Sequence, residues 1–104
     1  MDYLKILTEA HTAARAAVAG QPDDGACGFA WVTIDGNDGL ARFCRKDKTG
    51  DRLFGSKGYP TGWQFWCPGN FRGQSVDAHE RGAKAFRDKL AEYGIRATSN
   101  SRLD

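Results

Sequence analysis

A chain of 104 residues that is 40% hydrophobic, 12% aromatic and 27% charged has the size and balance of one globular domain, residues 1–104. That aromatic share excludes a disordered chain. A net charge of +2 is too small to mark a nucleic-acid binder by itself, and no run approaches the ~20 apolar residues that cross a bilayer.

Asp2 to Ala19 predicts a helix, because Leu4, Leu7, His11, Ala14 and Val18 recur at intervals of three and four. Alanine is dense from Ala13 to Ala19, and Gly20 and Pro22 supply the stop. Its small residues let this helix lie close against what it covers. Ala26 to Asp35 predicts a central strand, with Cys27, Phe29, Trp31 and Thr33 on one face and Gly28, Ala30, Val32 and Ile34 on the other. Asp35 to Gly39 is a turn, and Leu40 to Lys48 is read as a short helix.

Gly50 to Gly62 reads as a long loop broken by Gly50, Gly55, Gly58, Pro60 and Gly62. Trp63 to Cys67 is a second strand, with Trp63, Phe65 and Cys67 on one face and Gln64 and Trp66 on the other. Ser75 caps the strongest helix, along which Val76, His79, Ala83, Phe86, Leu90 and Tyr93 repeat by threes and fours until Gly94. Ile95 to Ser99 closes the series as a third strand. The expected fold is α+β in two layers, a small three-stranded sheet with helices mainly on one face, in the order α-β-α-β-α-β. Exposed sheet edges make a homo-oligomer the expected state.

The constellations point to binding without catalysis. His11 and His79 fall on apolar helix faces, where a histidine is ordinarily a hydrogen-bonded core residue. The expected surroundings of Cys27 and Cys67 are apolar and quiet a thiol. Three cysteines at wide spacing form neither a disulfide framework nor a zinc motif, so neither a cofactor nor a metal is expected. No positively charged start precedes an apolar run, so an intracellular protein without membrane contact is expected.

Arg42 to Lys57 is basic, with Arg42, Arg45, Lys46, Lys48, Arg52 and Lys57 against Asp47 and Asp51. Phe54-Gly55-Ser56-Lys57-Gly58-Tyr59 offers backbone N–H groups, a lysine and a tyrosine to a phosphate, although the Walker order is missing. A second anion site is expected where Arg72, Gln74 and Ser75 meet the start of the long helix. Trp31, Trp63 and Trp66 lie on two short strands, and Trp63 and Trp66 point to opposite sides. Flat rings beside arginine and lysine stack nucleobases, or alternatively pack into a core or an oligomer interface.

Cys27-Gly28-Phe29-Ala30-Trp31-Val32, the strand from Trp63 to Phe65, Gln74-Ser75, Tyr93-Gly94-Ile95 and the closing Ser101-Arg102-Leu103-Asp104 together resemble a family of small tailed-bacteriophage proteins. The resemblance covers residues 26 to 104, without the first helix, and the Gly-rich middle departs from it. It implies an origin rather than a mechanism: small phage proteins without catalytic residues are often antagonists of host defence.

The leading expectation is therefore a non-enzymatic protein of the infected bacterial cytoplasm that sequesters a nucleotide-type immune signal, such as a cyclic nucleotide or an ADP-ribose derivative. Trp31, Trp63 or Trp66 would stack the base, with Tyr59 beside them. Arg42, Arg45, Lys57, Arg72 and Arg102 would meet phosphates, while Asn70, Gln74 and Ser75 fix orientation. The alternatives are an inhibitor that covers a host complex such as a CRISPR effector, or a single-strand nucleic-acid binder.

Overall fold

Alternation along one strand divides the molecule into a covered side and an open side. In the computed structural model, which describes residues 1–59 and 61–104, β1 runs over Gly28–Ile34. Gly28, Ala30, Val32 and Ile34 are buried, while Phe29, Trp31 and Thr33 turn the other way. A Cβ at Gly28 would meet the Arg102 carbonyl and the Val76 side chain, so only glycine lets helix and neighbouring strand close in there.

Three helices supply the cover. The first, α1, spans Tyr3–Val18 and starts from Asp2, whose side chain accepts the Lys5 N–H. It buries Ile6, Leu7, Ala10, His11, Ala14 and Val18, whereas Leu4 is exposed, contrary to the expected face. The apolar stripe is centred on Leu7, Ala10 and Ala14, and Leu4 falls just beyond its His11 edge. The short α2, Gly39–Arg45, is capped by Asp38 and buries Leu40, Ala41 and Cys44.

The long α3, Val76–Glu92, is capped by Ser75 Oγ accepting the Ala78 N–H at 3.3 Å. It packs on α1 and lies over β1 and the last strand. Phe86 is the joint between layers, with Phe65 and the His11 ring each 4.9 Å from it, centroid to centroid. The Tyr93 hydroxyl ties α3 to α1 by donating to the Glu9 carboxylate, 2.7 Å from Oε2.

The sheet has four strands rather than three. The added one, β2, is Ser56–Lys57 inside the segment expected to be structureless, preceded by a 3-10 turn at Arg52–Phe54. Pro60, named as one of that loop's breakers, lies outside the described residues. The third strand, β3, is Trp63–Trp66, and it stops before Cys67, whose φ of 45° leaves the extended region. The fourth, β4, covers Ala97–Leu103, longer and further along the chain than Ile95 to Ser99.

The order across the sheet is β2-β3-β1-β4, with antiparallel neighbours throughout. Setting α1 aside, a β-α-β-β-α-β chain in this order is the split β-α-β, or ferredoxin-like, arrangement. β1 is an interior strand, as its apolar faces required. No helix among the described residues is long and apolar enough to cross a membrane.

Candidate functional site

Residues paired across an antiparallel ladder share a face. The side away from the helices therefore carries Phe29, Trp31 and Thr33 from β1, Gln64 and Trp66 from β3, and Thr98, Asn100 and Arg102 from β4. Trp31 stands opposite Trp66, and the two rings stack with centroids 4.7 Å apart and planes 24° from parallel. The Trp66 indole N–H donates to Gln64 Oε1, two residues back on the same face, at 3.0 Å. That bond fixes the ring's orientation. In the next row Arg102 stands opposite Phe29, its guanidinium carbon 6.0 Å from the ring centroid.

Three aromatic rings and a cation thus occupy the two interior strands and one edge. Phe29 is 36% and Trp66 41% exposed, so their apolar area is only partly withdrawn from water. Clustered exposed aromatics of this kind are a candidate binding surface.

Arg15 and Arg52 lie at the same end of the sheet. After β3 the chain turns through Cys67, Gly69 and Asn70, all at positive φ. Arg52 braces this turn, donating to Asn70 Oδ1 at 2.7 Å and to the Trp66 carbonyl at 3.1 Å. A cavity of about 120 Å³ beside it is lined by His11, Arg15, Arg52, Trp66 and Asn70 among others. Neither arginine has an ion-pair partner among the described residues.

Of the residues expected to bind, Trp31, Trp66 and Arg102 come together on the open face, with Asn70 at its end. Trp63 does not join them. It faces the core, 8% exposed, and its indole N–H donates to the Phe54 carbonyl at 2.7 Å. Arg45 lies over that ring at 5.4 Å and donates to the Gly36 carbonyl, so its charge serves the covered side. Arg42 is exposed on α2, in the helical layer. Lys57, paired with Trp63, also points away from the open face, and Tyr59 is 93% exposed beyond β2.

The two expected anion sites are filled by the chain itself. At the start of α3, Asp23 Oδ1 accepts the N–H groups of Gln74 at 2.8 Å and Ser75 at 2.9 Å. A carboxylate there meets the helix dipole as a phosphate would. Arg72 is left exposed nearby. In the Gly-rich segment, Gly55 at φ 72° brings its backbone so close to β3 that a Cβ would lie 2.5 Å from the Gln64 carbonyl oxygen. Gly58 gives its N–H to Gly62. These glycines are explained by packing.

Phe29, Gln64, Asn100, Arg15 and Arg52 were missed as site residues. The signal for Phe29 was its alternation with Trp31; Arg15 and Arg52 reach the turn only through the tertiary fold.

Both histidines are held by backbone carbonyls, His11 Nε2 by Leu53 at 2.8 Å and His79 Nε2 by Gly73 at 3.0 Å. His79 also meets Phe71 edge-on. Cys27 is exposed rather than apolar in its surroundings, Cys67 is half-buried, and burial beside Asp47 pushes the Cys44 thiol up to about 12. No cluster of three metal-ligating side chains occurs among the described residues.

Burial lowers the His11 pKa, Arg15 and Arg52 add to this, and the Leu53 hydrogen bond and Asp51 oppose it. An unfolded histidine takes up its proton near 6.5, the folded one only below that. The His11 contribution to stability is therefore complete above about pH 6.5 and falls as pH drops from there towards the folded value. Thermal midpoints measured from about pH 7.5 to about pH 5 should decline, and His11→Gln should flatten the decline.

Comparison with protein-family models, curated proteins and solved structures gives no match to this chain.

Proposed function

We propose that the open sheet face binds single-stranded nucleic acid without catalysis. The observation that carries this reading is the Trp31–Trp66 stack, with Phe29 beside it, on the uncovered face of the two interior strands. RNA-recognition modules stack two or three bases on aromatics of a four-stranded sheet in this way, and the analogy is one of surface chemistry. Each base has a π-face, so stacking is worth about 1–3 kcal/mol whatever the sequence. Arg102 at one margin and Arg52 at the turn after β3 meet phosphates.

A polymer suits a flat open surface, whereas a small signal molecule is ordinarily held inside a concave site. This favours a strand over a sequestered signal. One observation supports sequestration as a second reading: the cavity of about 120 Å³ between Arg15, Arg52 and Trp66 is large enough for one phosphate. The resemblance to phage proteins would make the cytoplasm of an infected bacterium the expected place of either action.

Fluorescence anisotropy of labelled oligo-dT and oligo-rU decides the matter. The expected result is saturable binding of both, with log K falling by about 0.7 per tenfold salt for each phosphate met. No binding of either strand at low salt would overturn the reading. Displacement by a stoichiometric amount of a cyclic dinucleotide or ADP-ribose would favour the second reading instead.

A further inference from the structure

The sheet has two edges, and the chain treats them differently. Edges are ordinarily blunted by shortness, lysine, proline or a bulge. β2 is two residues long and ends in Lys57. β4 has seven residues, Ala97-Thr98-Ser99-Asn100-Ser101-Arg102-Leu103, with no lysine and no proline. It pairs with β1 in unbroken register from end to end, so no bulge turns it aside. A cleft of about 360 Å³ between α3 and β4, lined by Glu80, Lys84 and Ser99 to Ser101, leaves the outer margin uncovered.

The direction of each backbone group follows from one bond. Asp104 donates its N–H to the Cys27 carbonyl at 3.0 Å. Inward and outward groups alternate along an antiparallel strand, so Arg102, Asn100 and Thr98 also turn theirs towards β1. Leu103, Ser101, Ser99 and Ala97 then present theirs outward, and no backbone partner meets them among the described residues.

We propose that two copies of this chain pair through β4, antiparallel and in full overlap, to form one eight-stranded sheet. The strand is complementary to itself in that register. Asn100 stands opposite Asn100 of the partner subunit, Ser99 opposite Ser101, Thr98 opposite Arg102, and Ala97 opposite the exposed Leu103. No two like charges face each other, which in cross-strand pairs would be destabilising. Shifting the register by one pleat in one direction sets Arg102 against Arg96.

Antiparallel continuation keeps the two open faces on one side. The partner's Arg102 arrives opposite Thr98, next to the Trp31–Asn100 row, so each copy supplies a cation to the other's aromatic surface. That functional meaning rests on the nucleic-acid reading; the pairing itself does not.

Two measurements test the pairing. Light scattering behind size exclusion should give a dimer across the micromolar range. Ser101→Pro removes an outward N–H without touching the ladder to β1. It should raise the dissociation concentration at least about 30-fold, because two symmetry-related hydrogen bonds and the close approach are lost. Ser101→Ala, which like the proline loses the hydroxyl bond to Glu80, should stay dimeric.

The register has its own readout. Asn100 lies at a non-hydrogen-bonded position, where facing Cα atoms are about 4.5 Å apart, within disulfide reach. In a Cys27→Ser background, Asn100→Cys should oxidise to a covalent dimer, and Thr98→Cys should not. A monomeric wild-type chain, or a dimer indifferent to Ser101→Pro, overturns the proposal. Cross-linking at Thr98→Cys in place of Asn100→Cys overturns the register. Oligonucleotide binding is a separate assay, so a monomer that still binds strands would sink the dimer alone.

Discussion

Replacing Trp31 and Trp66 together by alanine is expected to weaken single-strand binding by at least about 30-fold, at about 1–3 kcal/mol per lost stacking partner. The two rings lie on each other at 4.7 Å, so the single replacements should not add. Removing either ring leaves the other without its backing, and most of the loss should already appear in Trp66→Ala. Trp63→Phe is the control, because that ring faces the core and should leave affinity unchanged. Titrations at one fixed salt concentration, with far-ultraviolet circular dichroism to confirm folding, check the set. Unaltered affinity in the double variant would remove the open face from consideration.

Phe86→Ala should cost about 3–5 kcal/mol, a large part of the roughly 5–15 kcal/mol expected for a domain of this size. Phe86 is fully buried, and its ring meets both His11 of α1 and Phe65 of β3. Truncation leaves a hole that three separate elements line, and none can fill it without pulling away from another partner. Urea unfolding followed by tryptophan emission measures the change. A loss below about 1 kcal/mol would mean that the layers collapse freely onto the gap, unlike a close-packed core.

The fold was legible where burial is one-sided. In β1, small and aliphatic residues alternate with larger rings, and in α3 the apolar residues repeat every three or four positions. Both patterns record a single apolar neighbour. β4 was harder to place because its Thr-Ser-Asn-Ser centre lies at an edge with one open face, so neither side requires apolar residues. β2 is too short for any period, and its glycines read as loop.

The site was half legible for a related reason. Trp31 and Trp66 could be assigned to strands, but which tryptophan meets water depends on which face the helices cover. Trp63 and Trp66 differ by an odd number of residues, so only one of them can lie on the open face. At Gln74 and Ser75 the reason is different: Asp23, far away in sequence, supplies an anion to the helix start.

The pairing of β1 with β4 also shapes how this molecule comes to be. β1 leaves the ribosome well before its companion on one side is made, since Gly28 pairs with Leu103. Until then the nascent chain holds an interior strand, with Phe29 and Trp31, that lacks one of its two neighbours. Closing a loop that spans most of the chain must precede any gain from that ladder, which slows folding relative to helical domains of equal length. The interval between the synthesis of β1 and that of β4 is the period in which the chain is most open to aggregation and most in need of a chaperone.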